Sequence, residues 1–347
     1  MKLFFAAIIL VLSAVLNVSF ATDTIIADGN QPQLTIDNSG IIRIVYGNGN
    51  KIYCATSMDN GLTFPDVQLA GEIKDMHLGM SRGPQVASSV NYTLVSAIDK
   101  KGLIHIFQLN HQSKKWTTKG LANDVAGSAP EGLMSIAADQ NDNFYAVWLD
   151  TRYDKNNKIC FAKTTDKGFS WTKNKIVYKS PNKTVCECCK PGITVNQSAI
   201  FIMFRNWLNG SRDLYLLQSY NKGATFTNAA KLGYGTWKLN GCPMDGGGLV
   251  AGKKNAVAAV WQREGHIYFT KTSGAENQIG TGRSCSITDP ENPIITWQDG
   301  NKLKVKELNK DGVTEVGEGG FLKAIRTKEN KICYAWEKDG KINFKTL

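Results

Sequence analysis

Beyond residue 20, this 347-residue chain lacks any hydrophobic run of the roughly 20 apolar residues that a membrane span needs. It has only four histidines, and none lies near a recognisable nucleophile motif, so the sequence offers no basis for a Ser-His-Asp triad. No helical pattern follows the glycines at 246–248, which excludes a phosphate-binding loop. No run of lysine and arginine with interleaved aromatics marks a nucleic-acid groove. We therefore expect neither a membrane-spanning nor a nucleic-acid-binding protein.

The charge is strongly basic. Lysine and arginine together number 41 against 30 acidic residues, which gives a net charge of +11 and favours anionic partners such as acidic glycans. Lysine contributes 33 of the 41 and is scattered along the chain, as is typical of solvated faces. Hydrophobic residues make up 42% and charged residues 20%, which indicates an ordinary globular protein.

The first 21 residues have the order of a secretory signal peptide. Lys2 precedes an apolar run over residues 3–16, and Ser19-Phe20-Ala21 provides the small residues of a cleavage site. We therefore predict a secreted or periplasmic protein with a single domain over residues 22–347.

Three octets share one pattern: a hydroxyl residue, any residue, Asp or Asn, any residue, Gly, any residue, Thr or Ser, and an aromatic. They occupy residues 57–64, 164–171 and 219–226, each after an apolar run typical of a strand. In such a turn the Asp or Asn caps backbone N–H groups, Gly takes the positive φ and the aromatic returns to the core. The pattern resembles the Asp box, or bacterial neuraminidase repeat, of the sialidase-like β-propellers. In that family the box joins the third and fourth strands of a blade, away from the active site, so it implies fold rather than activity.

Strand-like segments recur in seven units along the chain. Each unit has an upstream strand followed by two strands that a polar turn joins. Because propeller blades have four strands, we predict an all-β, seven-bladed β-propeller, whereas the sialidase resemblance implies six blades. The seventh unit ends within its third strand, so we expect residues 22–28 to supply its fourth strand and close the ring without a free edge.

Arginines are concentrated at the loops that should share one end of the ring. Convergent guanidinium groups bind carboxylates bidentately, so we expect an anion pocket there. A sialidase-like exo-glycosidase would hold its substrate with these arginines and use acids for proton transfer. The candidate substrate-binding residues are Arg82, Arg152, Arg205 and Arg283, and the candidate catalytic residues are Glu131 and Asp245.

The chain departs from the sialidase pattern in its catalytic residues. The Phe/Tyr-Arg-Ile-Pro motif of that family is missing from the first blade, where Gly29-Asn30-Gln31-Pro32 stands. Three functions therefore stay open. The chain acts on or binds an anionic carbohydrate, or it is a non-catalytic binding or scaffold protein with a disulfide-stapled pocket, or it binds a soft metal.

Five of the eight cysteines lie just before, or open, the first strands of three consecutive units. Disulfide bonding explains them most simply in an exported protein, with one member of the cluster bonded to Cys242. The alternative is a copper or zinc site, because thiolates select soft cations over hard ones. Its candidate ligands are His77, Cys186, Cys188, Cys189 and Cys242. We expect Cys54, Cys160 and Cys333, which lie in strand-like runs, to be small buried hydrophobes.

Overall fold

The computed structural model describes residues 23–197, 199–271 and 275–347. Seven four-stranded antiparallel sheets form the ring, so the seven-bladed β-propeller is confirmed and the six blades implied by the sialidase resemblance are wrong. The predicted signal peptide, residues 1–21, lies outside the described residues. Within those ranges the single helix is the 3₁₀ turn Lys253–Asn255, and no helix is long and apolar enough to cross a membrane.

The strands follow the ring in chain order. The first, β1 (Thr24–Asp28), belongs to the last blade. Blades 1, 2 and 3 contain β2 (Asn30–Ile36), β3 (Ile42–Asn48), β4 (Lys51–Ser57), β5 (Asp66–Glu72), β6 (Gln85–Ser88), β7 (Tyr92–Ile98), β8 (Ile104–Asn110), β9 (Lys115–Leu121), β10 (Met134–Ala138), β11 (Phe144–Asp150), β12 (Lys158–Thr164) and β13 (Lys175–Tyr178).

The remaining blades repeat this order. Blades 4, 5 and 6 contain β14 (Gly192–Asn196), β15 (Ala199–Arg205), β16 (Leu214–Ser219), β17 (Ala230–Lys231), β18 (Gly248–Ala251), β19 (Val257–Arg263), β20 (His266–Lys271), β21 (Asn277–Thr281), β22 (Arg283–Thr288), β23 (Ile294–Asp299), β24 (Lys302–Glu307) and β25 (Thr314–Glu318). Blade 7 contains β26 (Gly320–Arg326), β27 (Ile332–Lys338) and β28 (Lys341–Thr346), together with β1.

The core lies between neighbouring blades. Strand β11 is buried along its whole length, because the blades on either side cover both faces of its sheet. Trp148 of this strand is fully buried and belongs to one cluster with Ile104 and Ile106 of blade 2. Such face-to-face packing explains why the second strands read as near-continuous apolar runs rather than as alternating ones. Three cysteines fill these cores, as the sequence predicted: Cys54, Cys160 and Cys333.

The first and last strands of the described chain pair with each other and close the ring. Strand β1 pairs antiparallel with β28, with Thr24 opposite Phe344 and Asp28 opposite Lys341. The last sheet therefore has the order β1-β28-β27-β26, which confirms the predicted composite blade. The pairing covers an edge of β28 that would otherwise present unpaired N–H and C=O groups.

The octets adopt the predicted turn geometry between the third and fourth strands of blades 1, 3 and 4. Asp166 Oδ1 accepts the Ser170 N–H at 2.9 Å, and Asp166 Oδ2 accepts the Ser170 hydroxyl at 2.6 Å. Gly168 has φ +91°, and Trp171 packs against the core between blades 2 and 3. The central carboxylate thus ties the turn together.

Replacing Asp166 with alanine is expected to lower the free energy of unfolding by about 1 kcal/mol, because Ser170 loses its charged acceptor on a half-exposed turn. Burial would raise the pKa of Asp166, but the hydrogen bonds from Ser170 and Thr164 outweigh it and lower that pKa. The contribution is therefore complete above about pH 4 and is lost as the pH falls further. Urea unfolding at several pH values measures it. An effect no larger than that of Asp311→Ala, in an exposed turn, would contradict this expectation.

Candidate functional site

A channel lined by the first strands of all seven blades runs along the axis of the ring. At the end where β14, β18, β22 and β26 begin, it opens into a cavity that we call the axial cavity. Antiparallel order brings the loops before these strands to the same end, as the sequence predicted. Its lining includes the side chains of Cys188, Lys190, Asp245, Ser284, Phe321 and Lys323.

Two lysines meet in this cavity. Lys190 stands just before β14, and Lys323 lies in β26 on blade 7. Burial among the blades disfavours the ammonium form and lowers the pKa of Lys190 to about 7, and the charge of Lys323 adds to the shift. Burial lowers the pKa of Lys323 as well. Both positive charges therefore lie at the channel mouth, where the repulsion between them disfavours the ammonium forms.

Neither lysine forms an ion pair, although the charge of Asp245 in the same cavity partly opposes the effect of burial on the pKa of Lys323. Lys190 Nζ donates a hydrogen bond to the Gln85 side-chain oxygen at 2.9 Å. In the part of the chain that the structure describes, no carboxylate oxygen lies within the 4.0 Å of an ion pair from the ammonium nitrogen of Lys190 or Lys323. Together they offer a positive site for an anion that enters along the axis.

Asp245 is the acid in the wall of the axial cavity. Its Oδ2 accepts the Ser284 N–H at 2.7 Å and its Oδ1 accepts the Gly247 N–H at 2.9 Å. Gly247 has φ +69°, and a Cβ there would lie 2.4 Å from the Val260 carbonyl oxygen, so the loop that supplies this N–H requires glycine. Backbone donors thus fix the orientation of the Asp245 carboxylate.

The four candidate arginines do not converge. Arg205 is buried, and its Nε, Nη1 and Nη2 donate at 2.6–2.9 Å to the backbone carbonyl oxygens of Asp245, Arg212 and Gln262. Arg152 is also buried, and its Nε and Nη2 hold the two oxygens of Asp150 at 2.8 and 2.9 Å. Both guanidinium groups are engaged inside the protein, where they join loops of the propeller to one another.

Three other predicted residues, Arg82, Glu131 and Arg283, are not among the residues that line the axial cavity. Arg82 Nε donates to the Glu131 carbonyl oxygen at 2.6 Å, and Glu131 Oε1 accepts from the Asn157 amide at 3.4 Å. Arg283 is exposed in a neighbouring groove that Glu318 also lines, and Ser284 and Phe321 line both this groove and the axial cavity. Of the two candidate acids, Asp245 alone is among the residues that line the axial cavity.

The disulfide predicted to involve Cys242 is present. Cys188 and Cys242 are bonded, with a Cα–Cα distance of 6.3 Å, and join the loops that precede blades 4 and 5. Cys186 and Cys189 lie beside this bond as buried free thiols, with their Sγ atoms 2.9 Å apart. Cys186 Sγ lies 3.7 Å from Cys188 Sγ and accepts a hydrogen bond from Arg212 Nη1 at 3.1 Å.

The two free thiols differ in acidity. Burial would raise the pKa of Cys186, but the hydrogen bond with Cys189 and the charges of Arg212 and Arg205 outweigh it and lower that pKa to about 7. Burial, together with Cys186 itself, raises the pKa of Cys189 well above its usual value. Cys186 is therefore the more acidic thiol of the pair.

Only some of the predicted copper or zinc ligands lie close to one another. The Sγ atoms of Cys186, Cys188 and Cys189 lie within 4.8 Å of one another. Cys242 is bonded to Cys188, so a soft metal with four sulfur ligands would require the reduced cluster. The ring of His77 packs against Gly132 instead, and burial lowers its pKa. A metal at this cluster stays a prediction.

Sequence reasoning missed Lys190 and Lys323. The signal was available, because first strands line the axis of a propeller. Lys190 directly precedes one first strand and Lys323 lies within another. The position near a first strand, which selected the arginines as candidates, applies equally to these two lysines. They were missed because lysine occurs 33 times and is scattered along the chain.

No protein-family model and no curated protein matches this chain. Solved structures share its fold. Virginiamycin B lyase from Staphylococcus aureus has 17% identity and a TM-score of 0.58 over 94% of this chain and 100% of that chain. The BP39L lectin from Burkholderia pseudomallei has 11% identity and a TM-score of 0.62 over 92% and 96%. The Hadza microbial sialidase Hz136 has 12% identity and a TM-score of 0.52 over 92% and 65%. At such identities the likeness shows a common propeller fold.

Proposed function

We propose that this chain is an exported β-propeller that binds an anionic carbohydrate in the axial cavity without hydrolysing it. The observation that carries the proposal is the meeting of Lys190 and Lys323, with no carboxylate of the described residues in ion-pair distance of either. A sugar carboxylate or sulfate between them would relieve their repulsion and receive charge-assisted hydrogen bonds.

The walls of the axial cavity suit the rest of a sugar. Asp245 offers a fixed carboxylate and Ser284 a hydroxyl, which can bind ring hydroxyl groups, while Phe321 offers an apolar ring face. Other proteins with this fold include a lectin and a sialidase, which supports a carbohydrate as the ligand class. The disulfide of Cys188, which lines the same cavity, would hold two of its loops together.

Binding, rather than hydrolysis, agrees with the positions of the acids. Hydrolysis by a pair of carboxyl groups places one on each side of the scissile bond. Asp245 lines the axial cavity, but Glu131 does not, and it lies beside Arg82 and Asn157 instead. Among the described residues that line the axial cavity, Asp245 is the one carboxylate, which favours recognition over cleavage by such a pair.

Matched sugars test the proposal. Glucuronate and galacturonate differ from glucose and galactose by a carboxylate, so calorimetric titration at about pH 6 should detect the acids and give at least tenfold weaker binding for the neutral sugars. Lys190→Gln and Lys323→Gln should each weaken binding of the acid about tenfold or more, because a hydrogen bond to a charged group contributes about 1.5–3 kcal/mol. Lys179→Gln, which removes an exposed lysine, is the matched control and should not change the affinity.

Two outcomes would count against the proposal. If both lysine variants bind the acid as the wild type does, or if neither sugar acid binds, the axial cavity is not the anion site. If inorganic sulfate binds as tightly as the sugar acid, the anion site stands and the carbohydrate part of the proposal fails.

A further inference from the structure

We propose that Cys186, Cys188, Cys189 and Cys242 form a thiol–disulfide exchange centre, in which one disulfide moves between an exposed pair and a buried pair. This activity is separate from carbohydrate binding. Its partner would be a dithiol outside the protein.

The exposed pair is the disulfide of the structure. Cys242 is exposed, and Cys188 is partly exposed where it lines the axial cavity. The disulfide therefore lies on the side of the cluster that an external thiolate can approach, through the exposed residue Cys242. Exchange depends on such access to one sulfur of the disulfide.

The buried pair, Cys186 and Cys189, is positioned to form a disulfide of its own. Cys186 and Cys189 are 0% and 1% exposed, two residues separate them, and their sulfurs already lie 2.9 Å apart. Arg212 Nη1 donates to Cys186 Sγ at 3.1 Å, and its guanidinium is positioned over the Trp207 ring at 4.4 Å. A fixed cation beside a thiol stabilises the thiolate, which is the nucleophile in exchange.

The geometry connects the two pairs through Cys188. The Cys186 thiolate attacks Cys188 Sγ, 3.7 Å away. A Cys186–Cys188 bond forms, the Cys188–Cys242 bond breaks, and Cys242 leaves as the thiolate. Cys189, as it loses its proton, then attacks Cys186. A Cys186–Cys189 bond forms, and Cys188 leaves and takes that proton. One disulfide, one thiol and one thiolate exist before and after, so the transfer needs no oxidant or reductant.

Exchange with the outside follows the same chemistry. The first thiolate of an external dithiol bonds to Cys242 Sγ, and Cys188 leaves as a thiolate. The second thiolate of the dithiol then displaces Cys242 and closes the cyclic disulfide of the partner. The dithiol is the reductant in this step, and its two electrons reduce the disulfide of the protein to two thiols.

Peptide mapping tests the proposal on the whole protein. The protein is equilibrated in mixtures of reduced and oxidised dithiothreitol, quenched with acid, alkylated and digested with trypsin. Trypsin does not cut between Lys190 and Pro191, so residues 184–205 form one peptide with three of the cysteines, and residues 239–253 carry Cys242. The exposed disulfide links the two peptides, whereas the buried disulfide lies within the first. We expect both forms in the wild type, in a ratio that does not depend on the dithiothreitol mixture.

Variants assign the steps. Cys186→Ser should abolish the internally bonded peptide and keep the link between the two peptides, while Cys285→Ser, at the same end of the channel, should match the wild type. Wild-type protein that gives only the linked peptides in every mixture would overturn the proposal without relying on any variant. Two disulfides that persist together in every mixture would make the cysteines structural. Copper or zinc that co-purifies at about one ion per chain and blocks alkylation would make them ligands instead.

Discussion

Arg205→Met is expected to lower the free energy of unfolding by about 3–5 kcal/mol, because it removes the donors of three buried carbonyl groups at once. Arg205 is 1% exposed and binds the carbonyl oxygens of Asp245, Arg212 and Gln262, on segments that belong to two blades. Methionine fills much of the same volume but donates no hydrogen bond. The three carbonyl groups would then stay buried without partners.

The same variant should loosen the axial cavity. The Arg205 Nε bond holds the backbone of Asp245, and the Nη1 bond holds that of Arg212, which contacts Cys186. Urea unfolding measures the stability, and Arg283→Met is the matched control, because Arg283 is exposed and should change stability by less than about 0.5 kcal/mol. A loss below about 1 kcal/mol for Arg205→Met would show that water or other donors replace the guanidinium.

Removing β1 is expected to lower the melting temperature by more than about 10 °C or to prevent folding, because it opens the ring and exposes the edge of β28. Ile26 and Ala27 of β1 pack against the core that contains Ile342 and Phe344. A variant whose mature chain starts at Asn30 therefore loses both the strand pairing and this apolar contact. Unchanged melting of that variant would contradict a closing role for β1.

A matched pair separates packing from pairing within β1. Ile26 is partly buried in the core, whereas its neighbour Ile25 is 58% exposed. Ile26→Ala should cost about 1–2 kcal/mol and Ile25→Ala less than about 0.5 kcal/mol, since only the first removes buried methyl groups. Equal costs would place the effect of β1 in its hydrogen bonds alone.

The fold could be predicted because its signals are local and repeated. The glycine of each octet fixes a turn, and the seven recurring units of strand-like segments give the number of blades. The role predicted for residues 22–28 followed from a missing strand, and the pairing of Thr24–Asp28 with β28 bears it out. A single octet would have been weak evidence, but three octets together with seven strand units made the fold predictable.

The site could not be predicted in the same way, because it depends on which charged side chains are paired with other groups inside the protein. A sequence does not show that Arg205 and Arg152 are buried against carbonyl groups and Asp150. It also does not show that Lys190 and Lys323, 133 residues apart, face one another across the axis. The disulfide partner of Cys242 was left open for a similar reason, since three neighbouring cysteines satisfy the same spacing.

The most direct test of the account is the pH dependence of sugar-acid binding. Burial lowers the pKa of Lys190 to about 7, so its ammonium is present at pH 6 and largely lost at higher pH, while the sugar carboxylate stays charged throughout. The affinity for glucuronate or galacturonate should fall about tenfold or more between about pH 6 and pH 8.5, and Lys190→Gln should remove most of this dependence. An affinity that stays constant or rises over this range would contradict binding at the axial lysines.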